Sequence, residues 1–232
     1  MKTAYFDCFA GISGDMIAGA FIDAGLDFNF LEKTLAGLEL TGYELSYEKK
    51  LKNGISGTSF IVNVKKDQPH RRLRDITELI MSSSLNEKVK NDAISIFSIL
   101  GKAEAHIHVK SIEEIHFHEV GAVDSIIDIC SAALAFHSLE IENVISSPVN
   151  TGKGYVKCAH GMLPVPAPAT AEILKGIPVF ATDTAAELTT PTGAAIISHF
   201  AGSFAPLPEI KIEKIGYGAG SRDLDIPNLL RI

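Results

Sequence analysis

The sequence predicts an α/β fold, a mixed sheet flanked by helices, and three observations lead there. Short strand-like runs interleave with helical segments along the chain, several helices are apolar nearly all round, and those helices are entered through polar or glycine-rich turns. An apolar content of 46% over 232 residues is ample for a packed core and excludes a disordered, collagenous or low-complexity chain. The length suits one large domain or two small ones.

Residues 3–9 read as a buried strand and 14–24 as an almost wholly apolar helix after a glycine turn. Residues 29–38 read as a second helix. Around Asn53-Gly54, residues 43–50 and 58–65 alternate apolar and polar, the pattern of a hairpin or a pair of edge strands. Residues 72–81 and 86–105 are amphipathic helices, with Ile94, Phe97, Ile99 and Leu100 on the apolar face of the second. Residues 70–115 are a candidate helical subdomain. Residues 121–139 form a long helix. Beyond it, 144–149, 178–182 and 209–215 are strand-like, separated by helices near 168–175 and 192–200. Nine of the ten prolines lie at or beyond Pro148, so the second half is richer in turns. No repeat appears at a fixed period.

Charge and cysteine usage narrow the function classes. With 21 basic and 28 acidic residues the net charge is −7, which argues against nucleic acid or an anionic membrane as the main partner. The strongest basic run, His70-Arg71-Arg72-Leu73-Arg74, reads as a solvated helix start. No apolar stretch approaches the roughly 20 residues needed to span a bilayer, and the N-terminal segment, broken by Asp7, Gly11 and Gly14, is neither a signal nor a transit peptide. Cys8, Cys130 and Cys158 are odd in number and widely spaced, which speaks against a disulfide framework and for a reducing, cytoplasmic compartment.

Four turns carry candidate chemistry. The first runs from Asp7 through Gly11, Ser13 and Gly14 to Asp15; its glycines and the helix that follows make a plausible phosphate cradle, although the ending of a P-loop is missing and Ser13 or Asp15 could equally be a simple cap. The second, Glu187-Leu188-Thr189-Thr190-Pro191-Thr192-Gly193, is an ordinary helix start at Thr190-Pro191, but three threonines and a glutamate together also suit a phosphate, a ribose or a metal. The third presents Cys158 and His160 ahead of a proline-stiffened stretch. The fourth carries most weight: His106-Ile107-His108, then His116-Phe117-His118-Glu119, then a helix bearing Asp124 and Asp128. His-x-His turns both imidazoles to one side only in extended backbone, so this stretch is read as a loop or strand delivering imidazoles to a helix mouth. Asp124, Asp128 and Ser131 fall on one stripe at i, i+4, i+7, and buried carboxylates need a partner such as a metal or a histidine. Imidazole with carboxylate suits zinc, nickel, iron or manganese. His137 and His199, each isolated near a helix end, are read as structural.

The segments YFDCFAGISGDM, HFHEVGAVDSIIDI, HGMLPVPAPATAEIL, ELTTPTGAA and GYGAG, in this order, closely resemble the LarC nickel insertion protein family, and the likeness runs from Thr3 to the last residues. The resemblance implies a nickel chelatase, a metal-inserting lyase that places nickel into pyridinium-3,5-bisthiocarboxylate mononucleotide and completes the nickel-pincer nucleotide of lactate racemase, with CTP and a divalent metal required. Family members are longer, and their nucleotide triphosphate site is associated with a C-terminal domain absent from this chain, which corresponds to their N-terminal part. Val109 stands where glycine is expected after His108. The implied partners are the thiolated mononucleotide, the missing C-terminal domain or polypeptide and apo lactate racemase as recipient, with no DNA, RNA or membrane; self-association is left open. The resemblance adds emphasis to Asp7, Asp15, His108, His116, His118, Glu119, Asp124, His160 and residues 189–193. The expected roles are nickel binding by His108, His116, His118 and Glu119, catalysis by Asp7, Asp15, Glu119 and Asp124, and binding of the mononucleotide by Gly11, Ser13, Gly14, His160, Thr189, Thr190, Thr192 and Gly193. Two other classes use the same residues. A metal-dependent phosphohydrolase would turn over simple phosphate esters, and a non-catalytic nickel metallochaperone would show no affinity for the thiolated nucleotide.

Overall fold

The computed structural model describes residues 1–66, 71–117, 122–158 and 161–232, with His116 through its backbone alone. Strand β1 (Thr3–Phe6) alternates between the core and a half-buried face, and leads through a turn into α1 (Gly14–Asp23), whose cap Ser13 is in extended backbone. Helix α2 (Phe28–Leu35) is capped by Asp27, which accepts from the Asn29 N–H at 2.9 Å, and buries only Leu31 and Leu35, as a one-sided surface helix should. Strands β2 (Tyr43–Lys52) and β3 (Ile55–Val64) form the expected hairpin; Asn53 and Gly54 both have positive φ, 51° and 83°, the twist that a two-residue hairpin loop requires. Strand β4 (Arg71–Arg72) runs straight into α3 (Leu73–Ser82), followed by the 22-residue α4 (Glu87–His108), β5 (His116–Phe117) and α5 (Val123–Ser138). Then come β6 (Asn143–Ser146), β7 (Val149–Asn150), β8 (Tyr155–Cys158), β9 (Gly161–Pro164), α6 (Pro168–Ile173), β10 (Val179–Phe180), α7 (Pro191–Phe200), β11 (Ser203–Phe204), β12 (Tyr217–Ala219) and β13 (Leu229–Arg231).

Two main sheets share one core. A parallel sheet has the order β1-β6-β11, and a mixed one has the order β13-β12-β3-β2, in which β12 runs parallel to β3 and antiparallel to β13. Shorter pairs are β7 with β10, β4 with β5 and β8 with β9. Helix α1 packs on the mixed sheet so closely that backbone meets backbone: a Cβ on Gly218 would stand 1.7 Å from the Met16 carbonyl oxygen, and one on Gly19 would stand 2.2 Å from that of Thr58. Glycine is therefore needed on both surfaces for the helix to lie there. On its other side, Phe21 of α1 meets Phe6 of β1 and Phe136 of α5, with ring centroids 6.0 and 5.1 Å apart. Helix α4 packs against α5, α6 and α7, and its apolar face belongs to the same core.

Two expectations change. Residues 209–215 form no strand: the alternation of Ile210, Ile212 and Ile215 with charge is present, but the segment pairs with no neighbouring strand among the described residues. The stretch 144–149 is divided into β6 and β7 at Ser147-Pro148, because proline lacks the N–H that a continuous ladder needs. No helix among the described residues is long and apolar enough to cross a membrane.

Candidate functional site

The site lies where the turn after β1 meets the turn before α7, past the C-terminal end of a parallel strand, the usual place for a ligand in an α/β sheet. Backbone pairing locks the two turns together: the Ile12 N–H donates to the Leu188 carbonyl at 3.0 Å, and the Thr190 N–H donates to the Ile12 carbonyl at 3.1 Å. Gly11 adopts φ +84°, and a Cβ there would fall 2.0 Å from the Leu188 oxygen; one on Gly193 would fall 2.2 Å from the Ile12 oxygen. The N-termini of α1 and α7 are thereby held side by side. Asn150 braces both turns, its side-chain amide N–H donating to the Phe9 carbonyl at 2.7 Å while its backbone carbonyl accepts the Thr189 hydroxyl at 2.7 Å.

Helix α5 closes the site from a third side. A Cβ on Gly14 would lie 2.6 Å from both Cβ and Oδ2 of Asp128, so the absence of a side chain at position 14 lets Asp128 rest on the first turn of α1. Asp15 lies in the same turn; its carboxylate accepts from the Ser13 hydroxyl and from the backbone N–H groups of Met16 and Asp15 itself. Asp124, one turn before Asp128, is exposed and accepts the Ser125 N–H at 2.8 Å.

Two of the carboxyls at this mouth, Asp15 and Asp128, are held back from ionising. Burial, and then the charges of Asp15 and Asp124, push Asp128 well above the usual carboxylate range. Burial raises Asp15 as well, opposed by the hydrogen bonds from Ser13 and the backbone. Asp128 Oδ1 and the Ser131 hydroxyl are buried without a hydrogen-bond partner among the described residues, the condition in which a polar atom is most costly and most receptive to a proton or a cation. Among the described residues, no group of three or more His, Cys, Asp or Glu is arranged to hold a metal ion. The arrangement is suited to storing and moving a proton at the joined mouths of α1 and α5.

The other expected residues are placed as follows. Asp7 is half-buried in an ion pair with Arg231 and shares a backbone bridge with it. Thr190 caps α7, accepting the Gly193 N–H at 3.2 Å, and Thr192 is buried in the first turn of α7. Several N–H donors of the presumed phosphate cradle are thus already taken: those of Gly11, Ile12, Asp15, Met16, Thr190 and Gly193. His118, Glu119 and His160 lie outside the described residues, as does the side chain of His116, whose backbone pairs with Arg72.

His106 and His108 require a correction. They are not in extended backbone but in the last turn of α4, where residues two apart point to different sides. His108 Nε2 lies 3.3 Å from Glu104 one turn back, while His106 faces Glu172 of α6 at 3.8 Å. The helix runs on through Ala103 and Ala105 and stops at Val109, which takes a left-handed conformation with φ 52°. The buried thiols of Cys8 and Cys130 are pushed up to about 12 by burial and are not available as thiolates.

One grouping was not visible in the sequence. The Asp92 carboxylate binds two imidazoles at once, His137 Nε2 at 2.6 Å and His199 Nε2 at 2.8 Å, tying α4, α5 and α7 together beside a cavity of about 360 Å³ lined also by Phe136, Asn143 and Phe200. These residues are far apart in the chain, so no local spacing signals them.

Comparison with known proteins finds relatives that match the whole length of the chain. The chain is 56% identical over 232 residues to the pyridinium-3,5-bisthiocarboxylic acid mononucleotide nickel insertion protein of Desulfitobacterium hafniense (strain DSM 10664 / DCB-2), covering all of this chain and 58% of the relative. It is 49% identical over 243 residues to the protein of the same name from Geobacillus kaustophilus (strain HTA426), covering 59% of it, and 48% identical over 231 residues to that of Staphylococcus epidermidis (strain ATCC 12228 / FDA PCI 1200), covering 58%. This chain therefore spans about three-fifths of the length of the relatives it matches. No solved structure matches it. The family model described as nickel insertion protein matches residues 4–232, and the chain belongs to that family.

Proposed function

We propose that this chain takes part in placing nickel into a pyridinium-3,5-bisthiocarboxylic acid mononucleotide, the reaction that its relatives' names describe. The observation that supports the reading best is the acidic mouth of α1 and α5, where Asp15, Asp124 and Asp128 converge and one buried carboxyl oxygen has no partner among the described residues. Bonding of a ring carbon to nickel breaks a C–H bond, and the proton needs an acceptor close by. Asp15, beside Asp128 and with Asp124 at the same mouth, serves as that acceptor, since a carboxyl raised by burial takes and returns protons nearer neutrality.

Nickel is cargo in this reading. His116, His118 and His108 with Glu119 gather it, because neutral imidazole and carboxylate bind the ion firmly yet leave it exchangeable with soft sulfur. The phosphate of the mononucleotide sits at the start of α7, where the hydroxyls of Thr190 and Thr192 can donate to it and the helix end carries partial positive charge, while Gly193, whose N–H is held by Thr190, lets the turn pack against Ile12. Gly11, Ser13, Gly14, Thr189 and His160 shape the adjoining wall, and Asp7, tied to Arg231, positions the turn. CTP and its divalent metal are engaged by the portion of the longer relatives that this chain does not match, and together with that portion this chain acts as a nickel chelatase of the cytoplasm whose product goes on to apo lactate racemase.

The test incubates the chain with nickel and the thiolated mononucleotide, with and without CTP, alone and together with the remaining portion of a relative, and reads activation of apo lactate racemase. Activation in at least one arm is expected, and its absence from all of them would refute the reading. Replacing both His116 and His118 by alanine is expected to abolish nickel binding; unchanged stoichiometry by elemental analysis would remove the ligand assignment.

A further inference from the structure

Residues 207–215 cross the surface between β11 and β12 as an uncovered strip. Leu207, Ile210, Ile212 and Ile215 are exposed by 51%, 42%, 58% and 49%, with Glu209, Lys211, Glu213 and Lys214 between them. Among the described residues, none of the backbone N–H or carbonyl groups in this stretch is paired with another. Four large aliphatic side chains along nine residues, on backbone whose hydrogen-bonding groups are all open, make a template for an added strand or an apolar partner surface.

The chain's last residue identifies the occupant. Ile232 exchanges two backbone hydrogen bonds with Gly216, each at 2.9 Å, so it lies directly beside the end of the strip. The matched relatives are longer, this chain corresponding to their N-terminal part and to 58% of the length in the D. hafniense protein. Their polypeptide therefore continues from the position of Ile232, next to the strip.

We propose that residues 207–215 are the docking surface for the C-terminal portion of the family, which covers the isoleucines and satisfies the open backbone of this segment. The partner's matching surface is apolar, with an unpaired strand edge that complements the alternating charges. Covering the strip would couple that portion to β12, whose Gly218 and neighbour Gly216 pack on α1, the helix that begins at the acidic mouth.

Hydrogen–deuterium exchange of this chain, compared with the aligned segment of the full-length D. hafniense relative, tests the proposal. Fast exchange over 207–215 here and at least tenfold slower exchange in the full-length relative are expected. Lysine at the two positions of the relative aligned with Ile210 and Ile212 should restore fast exchange and open the junction to protease. The same pair of changes in this chain, Ile210→Lys with Ile212→Lys, should leave its thermal midpoint unchanged, because both side chains are exposed. Equal exchange in the two proteins would overturn the proposal. So would a dimer of this chain in sedimentation velocity that the double variant abolishes, since the strip would then bind a second copy.

Discussion

Asp128 of α5 rests on the first turn of α1, and burial together with the charges of Asp15 and Asp124 pushes its carboxyl well above the usual carboxylate range. Its carboxyl titrates higher in the folded than in the unfolded chain, so the folded state holds a proton that the unfolded state has already lost. The corresponding stability is fully present below the ordinary carboxylate range and disappears as pH rises through the raised folded value. Asp128→Asn removes that titration. Thermal midpoints measured from about pH 4 to about pH 8 should therefore fall less steeply toward alkaline pH in the variant, which gains on the wild type at the upper end. A difference between the two proteins that is constant across this range would contradict the account. Asp23 behaves in the opposite sense: burial pushes it up, but Lys49, the Thr58 hydroxyl and the Tyr217 N–H outweigh burial and hold it low. The stripe of Asp124, Asp128 and Ser131 could be read from i, i+4, i+7 spacing, whereas the approach of Asp15 could not, because it depends on how two distant helices cross.

Helix mouths and close crossings decide the site at the scale of elements. The glycine turn and the threonine turn were each visible as polar entries to apolar helices, and the structure bonds them to one another through Ile12, Leu188 and Thr190. Their donors are largely occupied by that pairing, a consequence of tertiary contact that composition cannot report. The histidines of α4 show the converse limit: His-x-His admits two geometries, and helical propensity through Ala103 and Ala105 selected the one that separates the rings. Where α1 crosses the mixed sheet, Gly218→Ala places a methyl group 1.7 Å from the Met16 carbonyl oxygen, which cannot yield without moving the helix. A loss of about 3 kcal/mol or more is expected in denaturant unfolding. Gly101→Ala in α4 meets only the flexible ends of Ile112 and Leu73 at 3.3 Å and gains helix propensity, so its effect should remain within about 1 kcal/mol of zero. Equal penalties for the two would show that the close crossing does not govern stability.

At the scale of the whole molecule, burial sorts the three free cysteines. Cys8 and Cys130 are fully covered, and their thiols are pushed up to about 12, while Cys158 at the end of β8 is partly exposed. A thiol reagent at neutral pH should label one cysteine in the native protein and three after global unfolding; rapid native labelling at more than one position would mean that the core opens without unfolding. The sequence by itself determined the α/β class, the order of the main helices, the Asn53-Gly54 hairpin, the acidic stripe of α5 and the family likeness, because each is written in local periodicity, turn chemistry or contiguous motifs. Only the tertiary structure decided which turns face each other, that Asp128 rests on Gly14, that Asp92 joins His137 and His199, and that the alternating stretch 207–215 remains unpaired. Local sequence sets what a segment favours, whereas the burial, charge coupling and hydrogen-bond partners of a residue depend on segments that the chain brings together from far away.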